Sequence, residues 1–123
     1  MRITILGCGS SSGVPAVGNY WGSCDPDEPR NRRLRSSVLI EVSGKRLLVD
    51  TSPDLREQLL RVNHSHLDAV LFTHAHADHV HGIDELRWVN MATGRWLDVY
   101  SDQVTLDEIG QRFGYVFEEQ FRD

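Results

Sequence analysis

Short apolar runs alternate with turn-forming residues in the first half of the chain. Arg2–Leu6 is rich in β-branched residues and is followed at once by a glycine-rich turn. Ser37–Val42 and Arg46–Asp50 are two further apolar runs, and Ser43-Gly44-Lys45 between them is typical of a hairpin turn. We therefore predict one short strand and then a β-hairpin.

Helical periodicity begins after the hairpin. Ser52 is a suitable N-cap with Pro53 at the first helical position, and the apolar residues that follow have helical spacing. The remaining elements that the pattern predicts are a strand at Leu67–Phe72, a helix from Val80 to Gly94, a strand at Leu97–Tyr100 and a last helix at Val104–Phe113. Strands and helices that alternate after an initial hairpin predict a layered α/β fold.

Residues 14–35 interrupt this pattern. They hold most of the prolines, together with glycine, asparagine and aspartate, and they show neither helical nor strand periodicity. We therefore predict a long ordered loop or flap here. Loops of this length inside compact domains are commonly functional.

Length, charge and hydropathy limit the kinds of partner that we expect for this chain. Its 123 residues are about the size of one domain, and 13 basic against 18 acidic residues give a net charge of −5. Such a charge argues against a nucleic-acid partner, although Arg30, Arg32, Arg33 and Arg35 form a local basic cluster. No apolar run is long enough to span a bilayer, and the first apolar stretch is too short for a signal peptide. We therefore expect a cytoplasmic protein with no membrane partner.

The candidate chemistry lies in His74-Ala75-His76-Ala77-Asp78-His79, between an apolar strand and an amphipathic helix. Histidines two residues apart at a strand end project to the same side. Asp78 and His79 follow where the chain turns into a helix, so they can point toward the same volume. Imidazole and carboxylate ligands of this kind suit Zn and also accept Mn or Fe. His81 is either at the edge of this site or an ordinary helix-surface histidine.

Further motifs accompany the histidine cluster. They are the opening Ile3-Thr4-Ile5-Leu6-Gly7-Cys8-Gly9, the turn Gly9-Ser10-Ser11-x-Gly13-Val14-Pro15, the loop Trp21-Gly22-x-Cys24-Asp25-Pro26, the arginine-rich stretch and Val49-Asp50-Thr51-Ser52-Pro53-Asp54. With the HxHxDH pattern, these motifs resemble the metallo-β-lactamase fold superfamily. Within it, they are similar to the PhnP-like phosphodiesterase branch, which is related to ribonuclease Z.

The resemblance implies an αββα sandwich that holds two divalent metals, Zn or Mn. His74 and His76 would bind the first metal, and Asp78 and His79 the second, which makes Asp78 the candidate catalytic residue as well. A metal-bound hydroxide would attack the phosphorus atom of the substrate. Asp50 would orient a ligand histidine through its other ring nitrogen. An ordinary strand-end carboxylate is an equal alternative for Asp50.

The resemblance also sets a requirement that this sequence does not meet. The superfamily site needs two further histidines and a bridging aspartate on later strands, but His81 is the last histidine in the sequence. We therefore expect residues 1–123 to be the N-terminal part of a single metallo-β-lactamase-fold domain, truncated to half of the sandwich. Half a sandwich exposes an apolar sheet face, so we expect self-association or a missing C-terminal half.

The leading hypothesis is a metal-dependent hydrolase, a phosphodiesterase acting on a small cyclic or nucleotide-like phosphodiester. The Arg30–Arg35 cluster and His81 are candidate substrate contacts, with a solvated loop as the alternative for the arginines. A second hypothesis is an inactive or partner-completed metal-binding fragment. A lactonase or thioesterase uses the same kind of site, and Gly7-x-Gly9-x-x-x-Gly13 after a strand weakly suggests a dinucleotide-binding module.

Overall fold

A computed structural model describes residues 1–64 and 66–118 of the chain. The strands are β1 (Arg2–Gly7), β2 (Ser37–Val42), β3 (Lys45–Val49), β4 (Ala69–Leu71) and β5 (Asp98–Tyr100). The α-helices are α1 (Leu55–Val62), α2 (Ala77–Val80), α3 (Leu86–Thr93) and α4 (Gln103–Phe113). Short 3-10 helices lie at Pro29–Asn31, Ile83–Glu85 and Gly114–Phe117.

The five strands form one sheet in the order β1-β2-β3-β4-β5. The pairs β1–β2 and β2–β3 are antiparallel, whereas β3–β4 and β4–β5 are parallel. Parallel neighbours are joined by crossovers of a single hand, which places the connecting helices on one side of the sheet. The buried core on that side consists of sheet and helix residues, chiefly Leu39, Leu48, Val70, Leu55, Ile83, Leu86, Val89 and Ile109. The predicted layered α/β fold is confirmed.

The opposite face of the sheet is apolar and open. The strand register sets Ile5, Val38, Val49, Leu71 and Tyr100 side by side across all five strands. Ile5 is 61% exposed and Tyr100 is 56% exposed, although both are members of this apolar row. This face has the character that half a sandwich predicts.

Two of the predicted helices differ from those observed, one in where it begins and one in its continuity. The first helix begins at Leu55 rather than at Pro53, and the Ser52 hydroxyl instead accepts from the Asp54 N–H at 3.1 Å and donates to Gln58 Oε1 at 2.8 Å. The helix predicted from Val80 to Gly94 is divided into α2, a 3-10 helix and α3.

The break between α2 and α3 is set by a contact with a distant segment. Gly82 donates its N–H to Thr51 O at 3.0 Å, and a Cβ added to Gly82 would lie 1.9 Å from Ser52 O. The chain is therefore pressed against the segment between β3 and α1, and a regular helix cannot continue through this position.

Residues 14–35 form a loop that folds back on itself through isolated bridges between Val14 and Arg33 and between Ala16 and Tyr20. The longest helix of the described residues, α4, has 11 residues. Within 1–64 and 66–118, no helix has both the length and the apolar character needed to cross a membrane.

Candidate metal centre

The predicted ligands lie where two parallel strands end. Val49 pairs with Leu71 in the register of β3 and β4, so the residues that follow these strands meet at one edge of the sheet. Asp50 extends this pairing, because its N–H donates to Leu71 O at 2.9 Å. The histidine segment 74–79 continues from β4 and enters α2 at Ala77.

The predicted metal ligands are neighbours in space. The ring of His74 lies 4.7 Å from that of His76 and 4.1 Å from that of His79, measured between centroids. Asp78 Oδ2 is 3.1 Å from His79 Nε2. His76 is exposed and the other three residues are half-buried, so the cluster opens to solvent at one side.

Asp50 is the buried carboxylate beneath this cluster. Its Oδ2 atom lies 2.6 Å from His79 Nδ1, and its Oδ1 atom accepts from the Thr73 N–H at 2.8 Å. The φ angle of Asp50 is 61°, a left-handed conformation that is costly for a residue with a side chain. Such a conformation at a buried carboxylate marks a position where the fold accepts strain in order to aim a side chain.

Neighbouring segments hold the backbone of the cluster in place. The Thr51 N–H donates to His79 O at 2.9 Å, and its hydroxyl donates to Val80 O at 3.2 Å. From the other side, Arg112 of α4 donates to Ala75 O at 2.7 Å. The histidine segment is therefore fixed from two directions.

The donor set fits a divalent metal in kind, since imidazole nitrogens and a carboxylate are the ligands that Zn and Mn accept. In the described parts of the chain, however, no three His, Cys, Asp or Glu side chains are arranged to hold a metal ion as they stand. The two ring nitrogens of His79 each face a carboxylate, Asp50 on one side and Asp78 on the other.

The arginines of the predicted cluster contact different partners and do not form a single basic site. Arg30 pairs with Glu28 at 2.7 Å, the Arg32 guanidinium lies 5.2 Å from the centre of the Trp21 ring, and Arg33 donates to Cys8 Sγ at 2.8 Å.

Arg35 is held differently. It binds both carboxylate oxygens of Asp54, at 2.7 Å and 3.0 Å. This bond raises the pKa of Arg35, and the negative charge of Asp78 adds to the effect. Arg35 therefore lies within the electrostatic reach of a predicted metal ligand.

Two further residues complete the surroundings of the cluster. His81 contacts Phe113 edge-on, with ring centroids 5.7 Å apart. Thr73, which sequence reasoning missed, donates its hydroxyl to Asp50 Oδ2 at 2.7 Å and lies 2.9 Å from His74 Nδ1. The signal that could have revealed Thr73 is its place at the end of β4, beside the end of β3, where the carboxyl ends of parallel strands meet.

Comparison with known proteins identifies the family. Residues 45–121 match the family model described as the beta-lactamase superfamily domain. The chain belongs to this superfamily, as its motifs predict.

Two sequence relatives illustrate how the matched segment occurs in longer proteins. A protein of Porphyromonas gingivalis (strain ATCC BAA-308 / W83) named octanoyltransferase is 47% identical over 118 residues, which are 95% of this chain and 24% of that protein. Ribonuclease Z of Bradyrhizobium diazoefficiens is 43% identical over 60 residues, which are 47% of this chain and 20% of that protein. Because the first match spans a quarter of its relative, it assigns no transferase activity to this chain.

Two solved structures share the fold. A diphosphatase from the PhnP family superposes with a TM-score of 0.84 at 39% identity, over 94% of this chain and 47% of that one. Zn(2+)-bound PqqB from Methylobacterium extorquens superposes with a TM-score of 0.69 at 26% identity, over 90% of this chain and 40% of that one. This chain therefore spans less than half the length of each protein, as expected if it holds about half of the family's sandwich.

Proposed function

We propose that this chain provides the HxHxDH half of a metal-dependent hydrolase whose substrate is a small phosphodiester of cyclic or nucleotide-like kind. The observation that carries the proposal is the contact of the His74 ring with the rings of both His76 and His79, with the buried carboxylate of Asp50 bound to His79. The similarity to a PhnP-family diphosphatase supports a phosphoester substrate. Zn is the first candidate metal, because a zinc-bound relative shares the fold, and Mn is the second.

Each residue of the cluster has a distinct role in this proposal. His74 and His76 hold the first metal, and Asp78 and His79 hold the second. Bound divalent cations supply Lewis-acid stabilisation of the charge that develops on phosphoryl oxygens. Asp50 accepts a hydrogen bond from the Nδ1–H of His79, which makes Nε2, on the side of Asp78, the ligand nitrogen.

Arg35 is the arginine best placed to contact a substrate phosphate. Its bond to Asp54 fixes the guanidinium, whose side chain is 28% exposed, and leaves further N–H groups to donate to a phosphate oxygen. Arg30, by contrast, is 87% exposed and already paired with Glu28. The remaining arginines and His81 are secondary candidates for substrate contact.

A second candidate function is a metal-binding unit that another polypeptide segment completes. Two observations favour it. The described ligands do not by themselves form a ready metal cage, and the sheet face that carries Ile5 and Tyr100 is apolar and open. In the αββα sandwich, a second sheet covers such a face and brings further ligands to the metals.

Metal binding and hydrolysis separate these candidates. The metal-free chain is titrated with zinc and manganese and then assayed with a generic phosphodiester, alongside His76→Ala and the control His66→Ala, whose ring pairs with Asp68 at 3.2 Å. Zinc binding and hydrolysis that both fail in His76→Ala support the hydrolase. Zinc binding without hydrolysis supports the partner-completed unit, and failure to bind either metal refutes both.

The open sheet face has its own test. Without a covering layer, this face is expected to drive self-association of the chain. Ile5→Lys places a charge on this face, on its edge strand β1, and is expected to give a monomer in sedimentation. Val17→Lys, at a fully exposed loop position, is expected to leave association unchanged. A wild-type chain that is monomeric at high concentration would contradict this part of the proposal.

A further inference from the structure

The hydroxyl of Thr73 lies between two groups of the candidate metal centre. Thr73 Oγ1 is 2.7 Å from Asp50 Oδ2 on one side and 2.9 Å from His74 Nδ1 on the other. A hydroxyl has one hydrogen to donate but can accept through its lone pairs. The direction of the first bond therefore decides the direction of the second.

An ionised carboxylate can only accept, so the Thr73 hydroxyl donates to Asp50. Its hydrogen is then committed, and the contact with His74 is favourable only if His74 Nδ1 carries a hydrogen and donates it to Thr73 Oγ1. The same reasoning gives His79 a hydrogen on Nδ1, donated directly to Asp50. In His74 the nitrogen left without a hydrogen is Nε2. In His79 the Nε2 atom faces Asp78 Oδ2 at 3.1 Å, and the shorter contact with Asp50, at 2.6 Å, is what favours the hydrogen on Nδ1.

We propose that Thr73 is a positioning residue. Its hydroxyl donates to Asp50 and accepts from His74, and we call this pair of hydrogen bonds the relay. Through the relay and the direct bond to His79, one buried carboxylate sets the tautomers of two histidines. The two rings belong to different metals in the proposed function, so Asp50 prepares a ligand of each, one directly and one through Thr73. The inference about the relay stands on hydrogen-bond geometry, and only its consequence for metal binding rests on the proposed function.

The geometry makes Thr73 suitable for substitution. Its side chain is exposed, and its N–H bond to Asp50 Oδ1 at 2.8 Å does not involve the hydroxyl. Thr73→Val keeps the shape of the side chain and removes only the relay, whereas Thr73→Ser keeps the hydroxyl. His79, whose bond to Asp50 is direct, is an internal control in both variants.

The test is nitrogen NMR of the metal-free, ¹⁵N-labelled 123-residue chain at pH ~8, above the ordinary histidine pKa of ~6.5. We expect the hydrogen of His74 on Nδ1 in the wild type and in Thr73→Ser, and a shift toward Nε2 in Thr73→Val, with His79 unchanged throughout. A His74 ring with its hydrogen on Nε2 in the wild type, or one that Thr73→Val does not alter, overturns the relay.

Zinc titration adds a second readout. Loss of a group that orients a ligand histidine weakens metal binding by about 10–100-fold, so Thr73→Val is expected to show this loss and Thr73→Ser to recover most of it. If the tautomer shifts but the wild type binds no zinc, the relay stands and the proposed function fails. If the wild type binds zinc and Thr73→Val matches it in both tautomer and affinity, the relay fails and the proposed function stands.

Discussion

Replacing Asp50 by asparagine preserves the size of the side chain and removes its charge. Asp50 accepts from the Thr73 N–H at 2.8 Å, from the Thr73 hydroxyl at 2.7 Å and from His79 Nδ1 at 2.6 Å. An amide accepts through one oxygen only, and its NH₂ group meets the other partners as a donor. If the amide oxygen stays on the Thr73 N–H at the Oδ1 position, the NH₂ group takes the Oδ2 position. His79 must then accept at Nδ1, which moves its ring hydrogen to Nε2, the nitrogen that faces Asp78.

Two quantities change in Asp50→Asn. Hydrogen bonds to a charged group contribute about 1.5–3 kcal/mol, so the free energy of unfolding is expected to fall by about this amount. A ligand histidine in the wrong tautomer weakens zinc binding by about 10–100-fold. That loss corresponds to ~1.4–2.8 kcal/mol of binding free energy.

The assay combines urea unfolding of the metal-free chain with a competition titration of zinc against a chromophoric chelator. Asp68→Asn is the matched control, because Asp68 also accepts from a backbone N–H, that of Arg46 at 2.8 Å, and from Arg95 at 2.6 Å. It precedes β4 at the opposite end of that strand from the histidines, so its loss is expected to lower stability and leave zinc affinity unchanged. Zinc affinity of Asp50→Asn equal to that of the wild type refutes the orienting role.

Three further predictions concern stability and are measured by urea unfolding. Gly82→Ala forces a Cβ to within 1.9 Å of Ser52 O and is expected to cost about 1–3 kcal/mol or more, since backbone must move. The pKa of Asp68 is held well below its ordinary value of 3.8, chiefly by the Arg46 backbone N–H. Asp68→Asn is therefore expected to lower the free energy of unfolding most at neutral pH. This loss becomes smaller as the pH falls below 3.8, where Asp68 of the wild type begins to lose the advantage of its charge. Asp102→Ala removes the N-cap bond of α4, at 2.8 Å, and is expected to cost about 1 kcal/mol.

Each of these predictions has a matched control or a contradicting result. Gly110→Ala, in α4 with nothing within 4 Å of the added Cβ, is expected to raise stability by ~0.5–1 kcal/mol. A loss at Gly110 equal to that at Gly82 would show that the close approach to Ser52 is not the cause. A difference for Asp68→Asn that is the same at neutral and acidic pH would contradict its lowered pKa. Asp102→Asn retains a capping oxygen and is expected to lose less stability than Asp102→Ala.

The predictable part of the site is local in sequence. The segment from His74 to His79 brings its side chains together because strand alternation and a helix start act within six residues. The open apolar face was predictable for a similar reason, since the strand pattern and the half-length resemblance together require a sheet with one face uncovered.

The sequence indicated Asp50 as a candidate but did not establish its contact with His79. The resemblance pointed to Asp50, but an ordinary turn carboxylate was an equal alternative. The distance of 2.6 Å and the left-handed φ of 61° are consequences of how β3 ends beside β4. The role of Thr73 had no sequence signal of comparable strength, because it depends on one hydroxyl lying between two groups that are far apart along the chain.

The sequence by itself determined the family and the layered α/β class and pointed to the candidate metal ligands, because these inferences rest on periodicity and on chemistry within short segments. Only the tertiary structure decided where the helix after the histidines breaks, since that break is a contact between Gly82 and Ser52. It also decided which carboxylate lies beneath the cluster and how Thr73 links it to His74. Such contacts join segments that the parallel strand register brings to one edge of the sheet, and no local pattern records that register.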